Sequence, residues 1–551
     1  IMAYSENTDG SDVSTFRFMD LSTKKDLADS LTNVSYLIWR DSSSFFYSVM
    51  EKKTNRPYQI KYHRLSTDYA DDELIYEEVD KRFRVGIGRS KSKEFFVIDT
   101  ESANSSESYI MHKSNIKNEF KLIRAREKDV TYGLDHYKDK FYITTNLNEK
   151  NYEIMVTDTA KHESKYWKSF LKGRKGLMIT NFTIFDNYFV VGEMKEARNV
   201  LRVIDARTMK SYYVKAKVDL PNFGLSGNPD FDIDSLQYSY SSPLSKGGIY
   251  KMHMGTKEKR LVKKSKLFYY RPWGTKVERH WATAPDGEKI PITVIYNKFN
   301  KKSKTKPKRL YMTSYGSYGS STLAGFNSSA FSLLSRGFSV AIPHIRGGME
   351  MGYEWYEDGK MLNKKNTFTD FIACTEYLIE KEFAVKGEIT IQGGSAGGLL
   401  VGAVANMRPD LYKAVILDVP FVDVVNTMLD DKLPLTTGEY EEWGNPNEKE
   451  YYDYIKSYSP YDNVKSQDYP AMFFFTALND SRVGYWEPAK MAAKLRALKT
   501  DDNVLLLKTD FFSGHGGSSG RFSYLQELSY KYALIFDLYA AKKENPPANT
   551  P

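Results

Sequence analysis

Residues 389–400 of the chain read ITIQGGSAGGLL. A β-branched run leads into the pattern Gly-x-Ser-x-Gly, centred on Ser395, and an apolar, helix-like run follows as far as Met407. This order is typical of a nucleophile elbow, in which a serine occupies a sharp turn between a strand and a helix. The flanking residues must be small, because a side chain at Gly393 or Gly397 would collide with the adjacent strand or helix. We therefore predict that Ser395 is a nucleophile.

The sequence on both sides of this turn predicts an α/β hydrolase domain. From about residue 279, short apolar runs alternate with longer helical ones. Strands are predicted at 291–296, 309–312, 338–343, 388–392, 414–417, 471–477 and 504–508, and helices at 330–334 and 367–381. Strands that alternate with helices indicate a mostly parallel sheet covered on both faces.

A serine needs a base to remove its proton, and hydrolases of this architecture place the acid and then the histidine after the serine. Of the eight histidines, only His515 follows Ser395. It lies in a glycine-rich loop beyond the last predicted strand, so it is the candidate base. Of the other histidines, His344 alone is placed at a strand end where a functional role needs checking.

The acid of this arrangement is expected on the loop after the penultimate strand. Asp480 follows the strand 471–477 and is the first choice, with Asp418, at the end of an earlier strand, as the alternative. Its role would be to orient the histidine and stabilise the imidazolium. The oxyanion would be bound by the backbone N–H of Ala396 and by a donor on the loop at 314–319, where the Tyr315 hydroxyl is a candidate.

The first half of the chain repeats with a period suited to a β-propeller. Aromatic pairs or near-pairs begin at residues 45, 95, 141, 188 and 238, with spacings of 50, 46, 47 and 50 residues. Most of them follow a polar turn and lead an apolar strand. A repeat of this length with several short strands is typical of one propeller blade, since a small sheet must stack on its neighbours to bury both faces. An irregular β-sandwich is the alternative.

Composition excludes several classes of protein. The chain has 551 residues, 79 Lys and Arg against 70 Asp and Glu, and one cysteine. The charges are interleaved, so no nucleic-acid-binding surface is expected. The single cysteine rules out a disulfide framework and fits a cytoplasmic protein, and no apolar run is long enough to suggest a membrane partner. Neither a metal nor an organic cofactor is implied.

Five separate motifs closely resemble the oligopeptidase B branch of the prolyl oligopeptidase family, which cuts after basic residues. They are GGSAGG (393–398), YEDGK (356–360), TTGEYEEWGNP (436–446), YWEPAK (485–490) and SGHGG (513–517). The resemblance implies a seven-bladed propeller over residues 1–268, capping an α/β hydrolase domain over 269–551. Because the chain starts abruptly, we expect the propeller to lack its N-terminal part. The resemblance also assigns Ser395, Asp480 and His515 as the catalytic triad, and Tyr315 with Ala396 as the oxyanion hole.

The resemblance further implies the residues that bind substrate. It places Glu439 and Glu441 at the pocket for the residue before the cut, with Arg482 and Tyr318 as additional substrate contacts. A buried carboxylate pair is costly unless a cation neutralises it, and a guanidinium binds such a pair well. Family members commonly have an acidic pair where this chain has Leu323 and Gly325. We therefore predict a weakened preference for paired basic residues.

The expected function is that of a serine oligopeptidase that cuts short peptides after Arg or Lys, with access limited by the propeller. An esterase or a proline-directed peptidase of the same family is one alternative. A propeller that serves as an interaction scaffold on an inactive hydrolase is the other.

Overall fold

The computed structural model describes residues 1–7, 13–264, 267, 273–302, 308–518 and 520–540. Up to Lys264 the described residues form antiparallel strands and three short 3-10 turns. From Thr275 onward, strands alternate with helices around one large sheet. The boundary predicted between residues 268 and 269 lies outside the described residues.

The described residues of the first half form six small antiparallel sheets that follow one another along the chain. The first sheet has three strands: β1 (Met2–Glu6), β2 (Thr15–Asp20) and β3 (Lys25–Thr32). The second and third sheets contain β4 (Val34–Trp39), β5 (Ser44–Met50), β6 (Pro57–Arg64), β7 (Glu73–Glu77), β8 (Arg84–Arg89), β9 (Phe95–Glu101), β10 (Ser106–His112) and β11 (Lys121–Arg124). The last three contain β12 (Tyr132–Tyr137), β13 (Lys140–Thr145), β14 (Glu153–Asp158), β15 (Lys168–Leu171), β16 (Met178–Ile184), β17 (Tyr188–Met194), β18 (Asn199–Asp205), β19 (Ser211–Tyr213), β20 (Asn222–Leu225), β21 (Ser235–Ser242), β22 (Ser245–His253) and β23 (Lys259–Lys264).

The successive small sheets confirm the propeller that the aromatic repeat predicts, and the repeat has a simple packing cause. Each of the five aromatic motifs lies on the second strand of a four-stranded sheet. Neighbouring residues of a strand point to opposite faces, so a doublet contacts the blade on either side. Phe45 stacks on Phe18 of the preceding sheet at 5.0 Å between ring centroids, whereas Phe46 contacts Phe96 of the following sheet at 5.2 Å.

The number of sheets differs from the family expectation. The resemblance implies seven blades, and the described residues form six sheets, of which the first has three strands. The short 3-10 turns of this half are Tyr69–Asp71, Thr159–Lys161 and Ser164–Tyr166.

The second half is built on an eight-stranded sheet. Its strands are β24 (Thr275–Thr283), β25 (Lys289–Asn297), β26 (Arg309–Thr313), β27 (Phe338–Pro343), β28 (Ile389–Gly394), β29 (Ala414–Asp418), β30 (Ala471–Ala477) and β31 (Leu505–Asp510). Their order is β24-β25-β27-β26-β28-β29-β30-β31. The pairs from β27 to β31 are parallel, and the two pairs at the β24 edge are antiparallel. The seven predicted strands are therefore confirmed, and sequence reasoning missed β24.

Helices cover both faces of this sheet. They are α1 (Lys298–Lys302), α2 (Ala330–Ser335), α3 (Tyr353–Glu357), α4 (Lys365–Glu380), α5 (Ala396–Met407), α6 (Val424–Leu429), α7 (Thr436–Trp443), α8 (Lys449–Lys456), α9 (Trp486–Leu498) and α10 (Ser523–Tyr539), with 3-10 turns at Met361–Asn363 and Pro409–Leu411. Val415 of β29 packs into the core formed with α4, α5 and α9, and the next residue, Ile416, packs into the core formed with α2 and α10. None of the helices in the described ranges combines the length and apolar character needed to cross a bilayer.

Side chains of the propeller contact the catalytic half directly. Tyr353 N donates to Asn151 Oδ1 at 2.8 Å, and the Lys150 ammonium lies 2.7 Å from the Glu357 carboxylate. The loops at the carboxyl ends of the parallel strands are therefore covered by the propeller, and these are the loops that carry the candidate site.

Candidate active site

Ser395 occupies the turn that the sequence predicts. It follows β28 and immediately precedes α5, with a φ of 55° and a ψ of −122°. A Cβ added to Gly393 would lie 1.9 Å from Gly397 O, and one added to Gly397 would lie 3.0 Å from Ser314 O. Ser395 N donates to Asp418 O at 2.9 Å, which ties the turn to β29. Glycine is thus required at position 393, and a side chain at position 397 would be crowded against Ser314.

Asp480 and His515 are brought together by two loops that follow β30 and β31. His515 Nδ1 lies 2.8 Å from Asp480 Oδ2. Asp480 Oδ1 accepts the backbone N–H groups of Arg482 and Val483, both at 2.9 Å. Asn479 N donates to Ser513 O at 3.2 Å and so joins the two loops. The carboxylate is buried and its orientation is fixed from both sides.

Ser395 and His515 line one cavity of about 340 Å³. Tyr315, Tyr318, Glu439 and Arg482 line the same cavity. The rest of the wall is largely apolar: Phe421, Met428, Pro434, Leu435, Trp443 and Val483. The structure therefore brings the predicted nucleophile, base, oxyanion donor and three of the four predicted substrate contacts to one place.

Tyr315 and Ala396 are placed to stabilise a developing oxyanion. The Tyr315 side chain lines the same cavity as Ser395, and burial of the phenol raises the pKa of Tyr315 above its ordinary value. Ala396 is the first residue of α5, so its N–H has no acceptor within the helix. Both donors adjoin the serine from which a tetrahedral intermediate would form.

Glu439 supplies the carboxylate in the cavity. It is half-buried on α7, and Trp443 Nε1, one turn later, donates to Glu439 Oε2 at 2.9 Å. The pKa of Glu439 is raised to about 7, chiefly by burial, and the nearby Glu442 carboxylate contributes to this rise. Burial makes the ionised form of this carboxyl group unfavourable. An incoming cation would stabilise the ionised form, because its charge compensates for the hydration that burial removes.

Glu441 is not brought into this cavity, contrary to the expectation from the resemblance. It lies two residues after Glu439, and on an α-helix side chains two residues apart point to different sides. Glu441 Oε1 lies 3.8 Å from Arg82 Nη1 of the propeller. The predicted acidic pair is therefore split between the cavity and the propeller interface.

Sequence reasoning missed a second buried acid, Glu442. Glu442 Oε1 accepts the Tyr318 N–H at 2.8 Å, and Glu442 Oε2 accepts the Tyr356 hydroxyl at 2.6 Å. The ammonium of Lys364, also fully buried, donates to Gly316 O at 2.5 Å. The i, i+3 spacing from Glu439 was the available signal, because it places Glu442 beside Glu439 on the helix.

The two other residues considered from the sequence, Asp418 and His344, have partners outside the cavity of Ser395. The Asp418 carboxylate lies 2.7 Å from Lys531 Nζ, and the nearby Gln392 amide donates to it, so the alternative acid is engaged away from His515. His344 is fully buried, with Nε2 2.8 Å from Thr293 Oγ1. Burial holds the pKa of His344 well below its ordinary value. His344 is a core residue.

Two further cavities adjoin the first at the propeller interface. One, of about 440 Å³, is lined by Phe16 and Met50 of the propeller and by Arg482. The other, of about 280 Å³, is lined by Arg84 of the propeller and by Glu439. Both share Leu435 with the cavity of Ser395. The candidate site therefore faces the propeller.

Known proteins share both halves of this arrangement. Residues 1–265 match the N-terminal beta-propeller domain of prolyl oligopeptidase, and residues 324–540 match the prolyl oligopeptidase family. Because the propeller match begins at residue 1, it does not bear out the expectation of a propeller that lacks its N-terminal part.

Dipeptidyl aminopeptidase BI of Pseudoxanthomonas mexicana is 43% identical over 98% of this chain and 74% of its own length. Protease 2 of Moraxella lacunata is 36% identical over 100% of this chain and 79% of its own. Oligopeptidase B from Leishmania major superposes with a TM-score of 0.93 at 32% identity, covering 97% of this chain and 76% of that one. Oligopeptidase B from Trypanosoma brucei, with covalently bound antipain, gives 0.91 at 35% identity, with coverage of 98% and 77%.

An α/β catalytic domain with a serine elbow, joined to a β-propeller, defines a class of serine hydrolases. The chain belongs to the prolyl oligopeptidase family and is a serine peptidase of that family.

Proposed function

We propose that this peptidase cuts short peptides on the carboxyl side of Arg or Lys. The observation that carries the proposal is the Glu439 carboxylate, which lines the same cavity as Ser395 and His515. Trp443 fixes one oxygen of this carboxylate, and apolar side chains surround it. A slot with apolar walls and one acid suits a long aliphatic side chain that ends in a cation.

The reaction proceeds by acyl transfer in two steps. His515 takes the proton of the Ser395 hydroxyl, and the serine oxygen attacks the peptide carbonyl. The Tyr315 hydroxyl and the Ala396 N–H bind the oxyanion, and Asp480 accepts the His515 Nδ1–H and stabilises the imidazolium. His515 then gives its proton to the leaving amine, which departs as the C-terminal fragment.

Water resolves the acyl-enzyme by the same route. His515 takes a proton from water, the hydroxide attacks the ester carbonyl, and the proton returns to the Ser395 oxygen as the carboxylate product leaves. The propeller that faces the site limits the substrate to short peptides, with Arg482 and Tyr318 as further contacts. We place this activity in the cytoplasm, in keeping with the single, buried cysteine.

A second candidate function is the removal of dipeptides from free N-termini. It is favoured by one observation, the 43% identity to a dipeptidyl aminopeptidase. Both candidates share the catalytic residues and differ in whether the substrate amino group must be free.

A cleavage profile over a mixed library of short peptides tests the proposal, with half of the library acetylated at the N-terminus. Mass spectrometry should show cuts after Arg and Lys in acetylated and free peptides alike. Release of dipeptides from free N-termini alone would support the second candidate, and cuts after proline or neutral residues would refute the assignment to basic residues. Ser395→Ala is the control for a contaminating peptidase.

A further inference from the structure

The loop 315–318 begins with Tyr315, the candidate oxyanion donor, and ends with Tyr318, which lines the wall of the cavity. Tyr315 and Ser395 line the same cavity, and the ring centroids of Tyr315 and Tyr318 lie 6.2 Å apart. Gly316 and Tyr318 both adopt positive φ angles, of 72° and 59°. Positive φ is unfavourable for tyrosine, so the surrounding structure must hold this loop in place.

Two buried charged side chains hold the loop from beneath. Glu442 accepts the Tyr318 N–H at 2.8 Å, and Lys364 donates to Gly316 O at 2.5 Å and to Ser317 Oγ at 2.8 Å. Each side chain is about 1% exposed. The two therefore fix a backbone N–H, a backbone carbonyl and a hydroxyl within three consecutive residues.

A third residue fixes the carboxylate itself. The Tyr356 hydroxyl donates to Glu442 Oε2 at 2.6 Å, so each oxygen of Glu442 has a defined partner. The opposite charges of Lys364 and Glu442 also act on each other: burial lowers the pKa of Lys364 to about 8, and Glu442 counteracts that shift. Removing one member of such a buried, hydrogen-bonded group would leave the others without a partner, so the group holds a single arrangement.

We propose that Glu442 is a positioning residue for catalysis: through the Tyr318 N–H it holds the oxyanion loop so that the Tyr315 hydroxyl faces Ser395. Glu439 and Glu442 then have separate tasks although they lie one helical turn apart. Glu439 faces substrate and selects the residue before the cut. Glu442 lies beneath the loop and acts on turnover for every substrate. The inference rests on the proposed function for the role of Tyr315.

A double-mutant cycle between positions 315 and 442 tests the inference. Glu442→Ala removes both acceptors, and we expect kcat to fall about 100-fold, as when an oxyanion donor is lost, with KM within threefold. At about pH 9, where Glu439 is ionised in both enzymes, the loss should be equal on peptides with Arg and with Phe before the cut. In Tyr315→Phe, the further change Glu442→Ala should cost less than about threefold, because the donor that it positions is already gone.

Matched variants separate positioning from simple destabilisation. Glu442→Gln keeps an acceptor for the Tyr318 N–H and should recover kcat to within about tenfold of the parent. Tyr356→Phe removes one bond to the carboxylate and keeps the ring, so it should lower kcat about threefold to tenfold, again without effect in Tyr315→Phe. Leu495→Ala, in the core on α9, should lower the melting temperature and leave kcat unchanged. If Glu442→Ala does not fold, the double-mutant cycle is run with Tyr356→Phe and Tyr315→Phe instead.

The outcomes distinguish this inference from the proposed function. Labelling of Ser395 by a fluorophosphonate probe needs the serine and the oxyanion site but no basic side chain, so its rate should fall in Glu442→Ala whatever the peptide specificity. Losses at positions 315 and 442 that multiply would overturn the inference, as would a change in KM alone. A parent enzyme that labels but cuts no peptide after Arg or Lys would instead overturn the proposed function.

Discussion

The Asp480 carboxylate reaches His515 Nδ1 at 2.8 Å with one oxygen, and its other oxygen accepts two backbone N–H groups. Asparagine cannot reproduce this pattern, because its amide nitrogen must face either the histidine or the two amides. Asp480→Asn should therefore lower kcat by about three to four decades with little change in KM. Single-turnover kinetics on an arginyl amide would measure this. Full activity in the variant would show that another group orients His515.

Ser395 should be the residue that forms the acyl-enzyme. Ser395→Ala should lose about three or more decades of turnover, keeping what binding and the oxyanion site supply. Covalent labelling by a fluorophosphonate should vanish with it. The cavity and fold should persist, since the change removes one half-buried hydroxyl. Labelling that survives in the variant would mean that the nucleophile is misassigned.

Glu439 should give the enzyme a pH-dependent preference for basic residues. The pKa of the Glu439 carboxyl is raised to about 7, so this group is ionised above that pH and neutral below it. The ratio of kcat/KM for Arg over Phe substrates should therefore fall as the pH drops through about 7, because arginine stays charged throughout. Effects of pH on the chemical steps that both substrates share cancel in this ratio.

The control for this pH effect is Glu439→Gln. It should cost about 2–4 kcal/mol in kcat/KM on the Arg substrate and make the ratio independent of pH. Glu450→Gln, an exposed acid on α8, should match the parent. An equal loss on the Phe substrate would identify a structural effect in place of recognition.

Paired basic residues should bring little advantage. This chain has the uncharged residues Leu323 and Gly325 where the oligopeptidase B branch commonly has acids. Both residues lie beside the propeller, since Asn222 Nδ2 donates to Ala324 O at 3.0 Å. Arg-Arg and Ala-Arg amides should therefore give kcat/KM values within a few fold of each other. A large preference for Arg-Arg would show that other acids bind the second cation.

Glu350 should make stability depend on pH. It is 2% exposed, and burial raises its pKa from 4.5 to about 7. Between these values the folded state binds the proton more tightly, so the free energy of unfolding falls as the pH rises through this window, by up to about 3 kcal/mol. Glu350→Gln keeps an acceptor for the Thr322 N–H and removes the charge. The difference in melting temperature between pH 5 and pH 8 should be smaller in the variant than in the parent, and an unchanged difference would contradict the assignment.

The sequence was most informative where one residue type is obligatory. The elbow glycines, the only histidine downstream of Ser395 and the doublet spacing each reflect a steric or chemical requirement that few other residues meet. The motif alone does not show that Glu439 and Glu441 point to different sides, because that difference comes from the helical geometry of α7. Glu442 lies 86 residues after Tyr356 in the sequence, so the network that it forms with Tyr356 and the loop at 315–318 appears only once α7, α3 and that loop pack together.

The crowding around Ser395 also limits how this protein can vary. Even alanine, the smallest step from glycine, would place its methyl carbon 1.9 Å from a carbonyl at position 393 and 2.4 Å from the Pro420 ring at position 398. A directed-evolution library for new cleavage preferences should keep these codons invariant and place its diversity in the walls of the slot, where a changed side chain meets open space.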